Sequence, residues 1–291
     1  YASIKNQFLD EPEVTINELS YYTKLGGKSI IDPLPGNCGR DPILTEYISR
    51  KTGVNVIAST GVYYAAYESH SMKESEIEEV KTYFLKEIQE GMDETQIKAG
   101  MIKIGIQTVP VQVSHKEEIA LRAAAQTNLE TGTKITVHTF GNSKEEYQGP
   151  RVVDILEDEG VNPNNIQMAH MDWTLDWDYV SSMMERGVYV GFDCFGLEWP
   201  FAQEIYGLEK GLRTPTDIER VDGVRELIES GFLKNILLGH DICMKIQLKK
   251  YGGHGYAHIL RNVVPLMQSM SIIQGEIDTM LIQNPQKYLS N

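Results

Sequence analysis

Met101-Ile-Lys-Ile-Gly-Ile106 leads into a stretch of helical periodicity over 115–130, then Thr131-Gly132, then Lys134-Ile-Thr-Val-His138. A short β-branched run, a longer amphipathic segment, a glycine that stops it and a second β-branched run read as one βαβ unit with parallel strands. Working outward, five more runs repeat the pattern: Lys28-Ser-Ile-Ile-Asp32, Val54-Asn-Val-Ile-Ala-Ser59, Asn165-Ile-Gln-Met-Ala-His170, Val188-Tyr-Val-Gly-Phe-Asp193 and Asn235-Ile-Leu-Leu-Gly-His-Asp241. Further helices are expected around 73–90, 149–159, 175–187, 217–230 and 257–270. Glycines at Leu25-Gly-Gly27, Thr52-Gly53, Glu159-Gly160, Arg186-Gly187 and Ser230-Gly231 mark the remaining helix ends. Seven βα units without a glycine-rich phosphate loop near the first strand predict a (β/α)8 TIM barrel rather than a doubly wound sheet. The first strand of such a barrel is missing from the seven runs and is expected before Tyr1, where the chain starts without a methionine.

No compositional break divides the chain, so residues 1–291 are expected to form a single barrel domain. A chain of this length needs neither disulfide nor metal to stay folded, so any metal would be functional. The net charge of -14 repels phosphate backbones and anionic head groups, which argues against nucleic acid and membrane as partners. No apolar run approaches the roughly 20 residues a bilayer span needs. Three cysteines (Cys38, Cys194 and Cys243) without a CxxC spacing suit a reducing, cytoplasmic setting.

Ionisable residues fall at or near strand ends: Asp32, Lys103, His138, His170, Asp193 and Asp241. A barrel gathers such ends on one face, and buried charges are costly unless paired or coordinated. Lys103 stands inside an apolar run and is expected to be neutral or coordinated; a neutral amine can take up carbon dioxide and, as a carbamate, bridge two metal ions. The alternative is a buried ammonium paired with Asp241 or Asp193. Tyr63, Trp173, Trp177, Trp199 and Cys194 are candidates for the substrate pocket or for plain packing, with Tyr64, Tyr67, Phe140 and Phe195 nearby in sequence. His254 and His258 have the spacing of a zinc-protease helix, but Gly255 replaces the glutamate that motif needs, so a loop or structural role is expected.

The ordered set Thr60-Gly61-Val-Tyr63-Tyr64, Ala99-Gly100-Met-Ile-Lys103-Ile-Gly105, Val137-His138-Thr139, Ala169-His170-Met-Asp172, Phe192-Asp193-Cys-Phe-Gly196 and Gly239-His240-Asp241 resembles the phosphotriesterase family of the amidohydrolase superfamily. Lys250-Tyr-Gly-Gly-His254-Gly-Tyr256-Ala-His258-Ile-Leu, followed by Asn284-Pro285, resembles its phosphotriesterase-related proteins. The resemblance implies Lys103 as the carboxylated bridging ligand, His138 and His170 as ligands of the more exposed metal, and Asp241 as ligand of the buried metal and acceptor of the nucleophile's proton. The family's His-x-His pair on the first strand is absent from these residues.

The resemblance further implies two divalent metal ions, zinc first, with a shared hydroxide as nucleophile. The expected partner is a small-molecule ester, lactone or amide, and the family implies a homodimer. Only Arg40 and Lys245 could be placed near the pocket as cations, so a neutral lactone or carboxyl ester is the expected substrate, with weak phosphotriesterase side activity. Two alternatives stand: an N-acyl amide hydrolase, and a barrel without catalysis used as a binding scaffold.

Overall fold

A computed structural model describes residues 4–7, 9–36, 38–63, 76–106, 113–139, 147–198 and 214–290. Seven strands form one parallel sheet in strict chain order: β1 (Ser29–Asp32), β2 (Asn55–Val62), β3 (Met101–Gly105), β4 (Ile135–His138), β5 (Ile166–Ala169), β6 (Tyr189–Phe192) and β7 (Ile236–Leu238). Sequential order without reversal excludes a doubly wound sheet, which needs a switch point. The sheet is rolled: Met101 of β3, Tyr189 of β6 and Leu237 of β7 meet Tyr288 in one cluster, against which Ile31 of β1 also packs. Residues from strands so far apart in the order can share a cluster only on the inside of a barrel. Among the described residues no strand lies between β7 and β1.

Outside the sheet run α1 (Pro12–Lys24), α2 (Pro42–Thr52), α3 (Ile77–Gln89), α4 (His115–Thr131), α5 (Gly149–Asp158), α6 (Trp177–Glu185) and α7 (Asp217–Glu229). The expected glycines stop them. Gly53 and Gly132 sit at φ 72° and 75° and close α2 and α4 with N–H bonds to the Ser49 and Asn128 carbonyls. Of helices α1 and α2 only the ends are expected from sequence, at Leu25-Gly-Gly27 and Thr52-Gly53. The former has weak amphipathicity, and the latter is set by its cap, where Asp41 accepts the Leu44 N–H at 2.9 Å before Pro42. The segment expected as one helix over 257–270 is a π-helical turn, Ile259–Val263, running into α8 (Val264–Ser269). Beyond it lie α9 (Gln274–Asp278) and α10 (Asn284–Leu289).

The main core lies between sheet and helices. Ile102 and Ile104, Ile135 and Val137, Ile166 and Met168, Val190 and Phe192 turn outward to helical residues such as Ala124, Ile155 and Val224. Both faces are thus covered, which explains why the strands read as continuous apolar runs.

Candidate active site

Strand alternation sorts the inward residues into layers. In β3, Met101 lies in the floor cluster, Lys103 stands one layer up and Gly105 above it. Gly61 pairs with Lys103 in register, at φ 129°, and a Cβ there would come 1.8 Å from the Lys103 carbonyl oxygen. Glycine alone fits beside this lysine. Gly105 makes room in turn for the Tyr63 ring, which a Cβ would meet at 2.3 Å. His138 ends β4 on the same inward parity as Thr136. His170 does not: Met168, two residues earlier, faces the helices. A left-handed backbone at His170, φ 59°, breaks the alternation and lets its side chain turn into the barrel mouth. Asp241 has φ 45°. Two polar residues in this sparsely used region at one site carry local strain.

The side chains converge. The rings of His138 and His170 meet edge to face with centroids 4.5 Å apart. Donor atoms of His170, Asp241 and Cys194 lie within 4.8 Å of one another. Lys103 is buried, 5% exposed, and burial holds its amine below the ordinary lysine value despite the nearby Asp193 and Asp241 carboxylates. Burial, then His170 and Lys103, push His138 well below the usual imidazole range, so it is neutral and able to donate a lone pair. The Tyr63 hydroxyl lies 3.2 Å from His138 Nδ1. Asp241 is exposed at the mouth.

A second layer of polar groups supports the first. The Asp193 carboxylate lies 2.7 Å from His170 Nδ1 and accepts the His170 backbone N–H at 2.9 Å. That contact leaves Nε2 of His170 for the site. Burial lowers His170, but the adjacent Asp193 carboxylate outweighs it and raises the imidazole above its ordinary value. Asp172, fully buried, accepts the backbone N–H groups of Asp193 at 3.3 Å and Cys194 at 3.0 Å. Burial raises its carboxyl to about 6 although Arg220 lies against it. Cys194 was expected to line the substrate pocket. It is fully buried behind His170, with Sγ 3.6 Å from Nδ1, and burial keeps the thiol protonated.

The remaining candidates separate. Trp173 closes the short turn Met171–Trp173 beside His170, its N–H on the His170 carbonyl at 3.2 Å. Trp177 stacks on Phe192 and belongs to the packing. Asp32 ends β1 opposite Ala58 of β2, and its carboxylate accepts the Leu34 N–H at 3.3 Å. His258 is structural, with Nε2 2.6 Å from Asp217 Oδ2. Arg40 is spent on Glu87 and Asp93, and Lys245 on Asp10 and Glu11. Tyr64, Tyr67, Phe140 and Trp199 lie outside the described residues. Sequence reasoning missed Arg220, which is 0% exposed. Its signal was an arginine on the same helix face as Val221, Val224 and Leu227, all buried.

The sequence pattern of the phosphotriesterase family matches residues 5–289. An N-acetyltaurine hydrolase of Salmo salar is 32% identical over 293 residues, covering 100% of this chain and 81% of the relative. The crystal structure of a resiniferatoxin-binding protein from Rhodobacter sphaeroides superposes with a TM-score of 0.91 at 29% identity, covering 100% of this chain and 78% of that one. A phosphotriesterase homology protein from Escherichia coli, solved with phosphate in its active site, gives 0.87 at 26% identity, covering 98% and 92%.

Proposed function

We infer the reaction from one premise: this chain belongs to the phosphotriesterase family and is a hydrolase. We propose that it is a metal-dependent hydrolase that cleaves a carboxylic acyl bond, with a neutral lactone or carboxyl ester as substrate. The observation that carries this is Lys103, a lysine buried close to His138, His170 and Asp241, with its pKa lowered by burial. Folding does not require that set, and its chemistry fits a divalent cation held by His138 and His170, with Asp241 and a carboxylated Lys103 as part of a second site whose His-x-His pair these residues lack. His138 is neutral. His170 has Nδ1 committed to Asp193 and Nε2 to spare, and Asp241 offers a carboxylate at the mouth. The Lys103 amine, its pKa lowered by burial, can in its neutral form add carbon dioxide with loss of a proton and so become a carboxylate. Bound there, divalent cations supply Lewis acidity and water of lowered pKa, with zinc the first choice for nitrogen and carboxylate donors.

The chain's own residues do the rest. Asp241 accepts the proton of the attacking water and passes it to the leaving oxygen or nitrogen. Tyr63, fixed between Gly105 and His138, presents its hydroxyl to the acyl oxygen or the leaving group. Trp173 bounds the substrate side, and Cys194 supports His170 from behind instead of touching substrate. With Arg40 and Lys245 both paired, neither is available for an anionic substrate group, which favours an uncharged one.

A second reading, hydrolysis of a small N-acyl amide, is favoured by the relative at 32% identity, an N-acetyltaurine hydrolase. One experiment ranks them: zinc- or manganese-loaded protein assayed on lactones, aryl esters, N-acyl amino acids, N-acetyltaurine and a phosphotriester. Best turnover on lactone or ester supports the first reading, and best turnover on an anionic amide replaces it with the second. Inert protein that binds no metal would leave the scaffold alternative.

A further inference from the structure

Arg220 lies on α7, its side chain wholly buried, and it joins three loops of the active-site face. Its Nε stands 2.9 Å from Asp172 Oδ2, in the loop after β5. Its Nη2 donates to the Leu197 carbonyl at 3.2 Å, in the loop after β6. Its Nη1 donates to Asp217 Oδ1 at 3.2 Å, and the other oxygen of Asp217 meets His258, in the loop after β7. An arginine fork is suited to such bridging: Nη1 and Nη2 are hydrogen-bonded, whereas Nε meets Asp172 as an ion pair without hydrogen-bond geometry. The arm to Asp172 reaches the site. Asp172 takes the backbone N–H groups of both Asp193 and Cys194, and the Asp193 side chain then holds His170 Nδ1 at 2.7 Å. Without the guanidinium, Asp172 would be a buried carboxylate without a cation, free to turn away from those N–H groups. The left-handed backbone at His170 gives its ring no support from strand alternation, so this chain of contacts orients it.

We propose that Arg220 is a positioning residue that, through Asp172 and Asp193, fixes the ring orientation and tautomer of His170 and so sets how tightly His170 can hold a metal. The proposal rests on His170 being a ligand, as inferred above.

The test uses full-length 15N-labelled protein, wild type and Arg220→Gln. Long-range 1H–15N correlations report the His170 ring in the metal-free state. At a pH alkaline enough for the ring to be neutral, the expected wild-type pattern is a single tautomer protonated at Nδ1, and R220Q should show mixed tautomers. Zinc titration against a chromophoric chelator should then show about tenfold to a hundredfold weaker binding. In the loaded enzyme kcat should fall more than KM. Arg220→Lys keeps the cation but cannot span three acceptors, and it should recover part of the tautomer bias and of the zinc affinity. A cooperatively folded R220Q with the wild-type tautomer and zinc affinity within twofold overturns the proposal. If R220Q does not fold, R220K decides: wild-type tautomer and affinity there reduce Arg220 to a fold-stabilising ion pair. Because the ring signal is read without metal or substrate, a wild type that shows the expected signal and the R220Q effect but hydrolyses nothing defeats the hydrolase reading and leaves Arg220 standing.

Discussion

At Lys103 burial outweighs the pull of Asp193 and Asp241 and lowers the pKa of the amine. Its role therefore has a direction in pH. Acid that protonates the amine removes its ability to hold carbon dioxide, so activity should be lost on the acid side and recover only when bicarbonate is supplied with metal. Lys103→Met, similar in length but without nitrogen, should lower kcat/KM by at least about a hundredfold and abolish the carbamate carbon signal in 13C NMR of bicarbonate-treated protein. A K103M enzyme of undiminished activity would exclude the lysine from the chemistry. Tyr63 asks for less: Tyr63→Phe removes one hydrogen bond near His138 and should cost about fivefold to tenfold in kcat/KM, with the fold unchanged. Equal activity would reduce Tyr63 to packing over Gly105.

At the scale of elements, the strand-to-strand fit around Lys103 depends on Gly61. Gly61→Ala places a methyl 1.8 Å from a backbone oxygen at φ 129°, and neither β2 nor β3 can move without disturbing its other neighbour. A loss of roughly 3 kcal/mol or more is expected, read as a lower urea midpoint, with metal affinity falling alongside it. A midpoint unchanged within error would mean that the two strands are less closely fitted than described. The same strands show how far the sequence could be read. Their β-branched runs and the glycines that end the helices were legible because sheet burial and positive φ each restrict residue choice. Lys103, His138 and Asp241 were legible because polar groups stand out at strand ends. Three things were not legible. The parity break at His170 is a backbone angle that the residue type does not announce. The burial of Cys194 depends on the turn after β6, which puts it behind His170. Arg220 looked like one charge on a charged helix, and its burial is set by Asp172, 48 positions earlier in the chain.

The whole molecule carries partly buried histidines whose cost appears in acid. Burial and the neighbouring His258 hold His254 down at about 4, and burial with His254 and His258 holds His240 down at about 3. In the unfolded chain both titrate near the ordinary 6.5. Their folded pKa values lie below the unfolded ones, so the stability they confer is fully present above about pH 6.5 and drains as pH falls towards 4 and 3, where the unfolded chain binds protons that the folded one refuses. Asp172, raised to about 6, works in the opposite sense and returns part of the loss over the same interval. For His254 alone the loss between neutral pH and about pH 4.5 comes to roughly 2 kcal/mol, a sizeable share of the 5–15 kcal/mol typical of a folded domain. His254→Gln removes the titrating group and keeps a polar side chain beside Gly196, where the imidazole now packs. The variant should be less stable than wild type at about pH 7.5, because its shape fits that contact less well. By about pH 4.5 the gap should narrow by roughly 2 kcal/mol or reverse. Urea unfolding of the two proteins at both pH values measures this. Parallel stability profiles would show that His254 keeps its ordinary pKa in the folded barrel and that acid unfolding begins elsewhere.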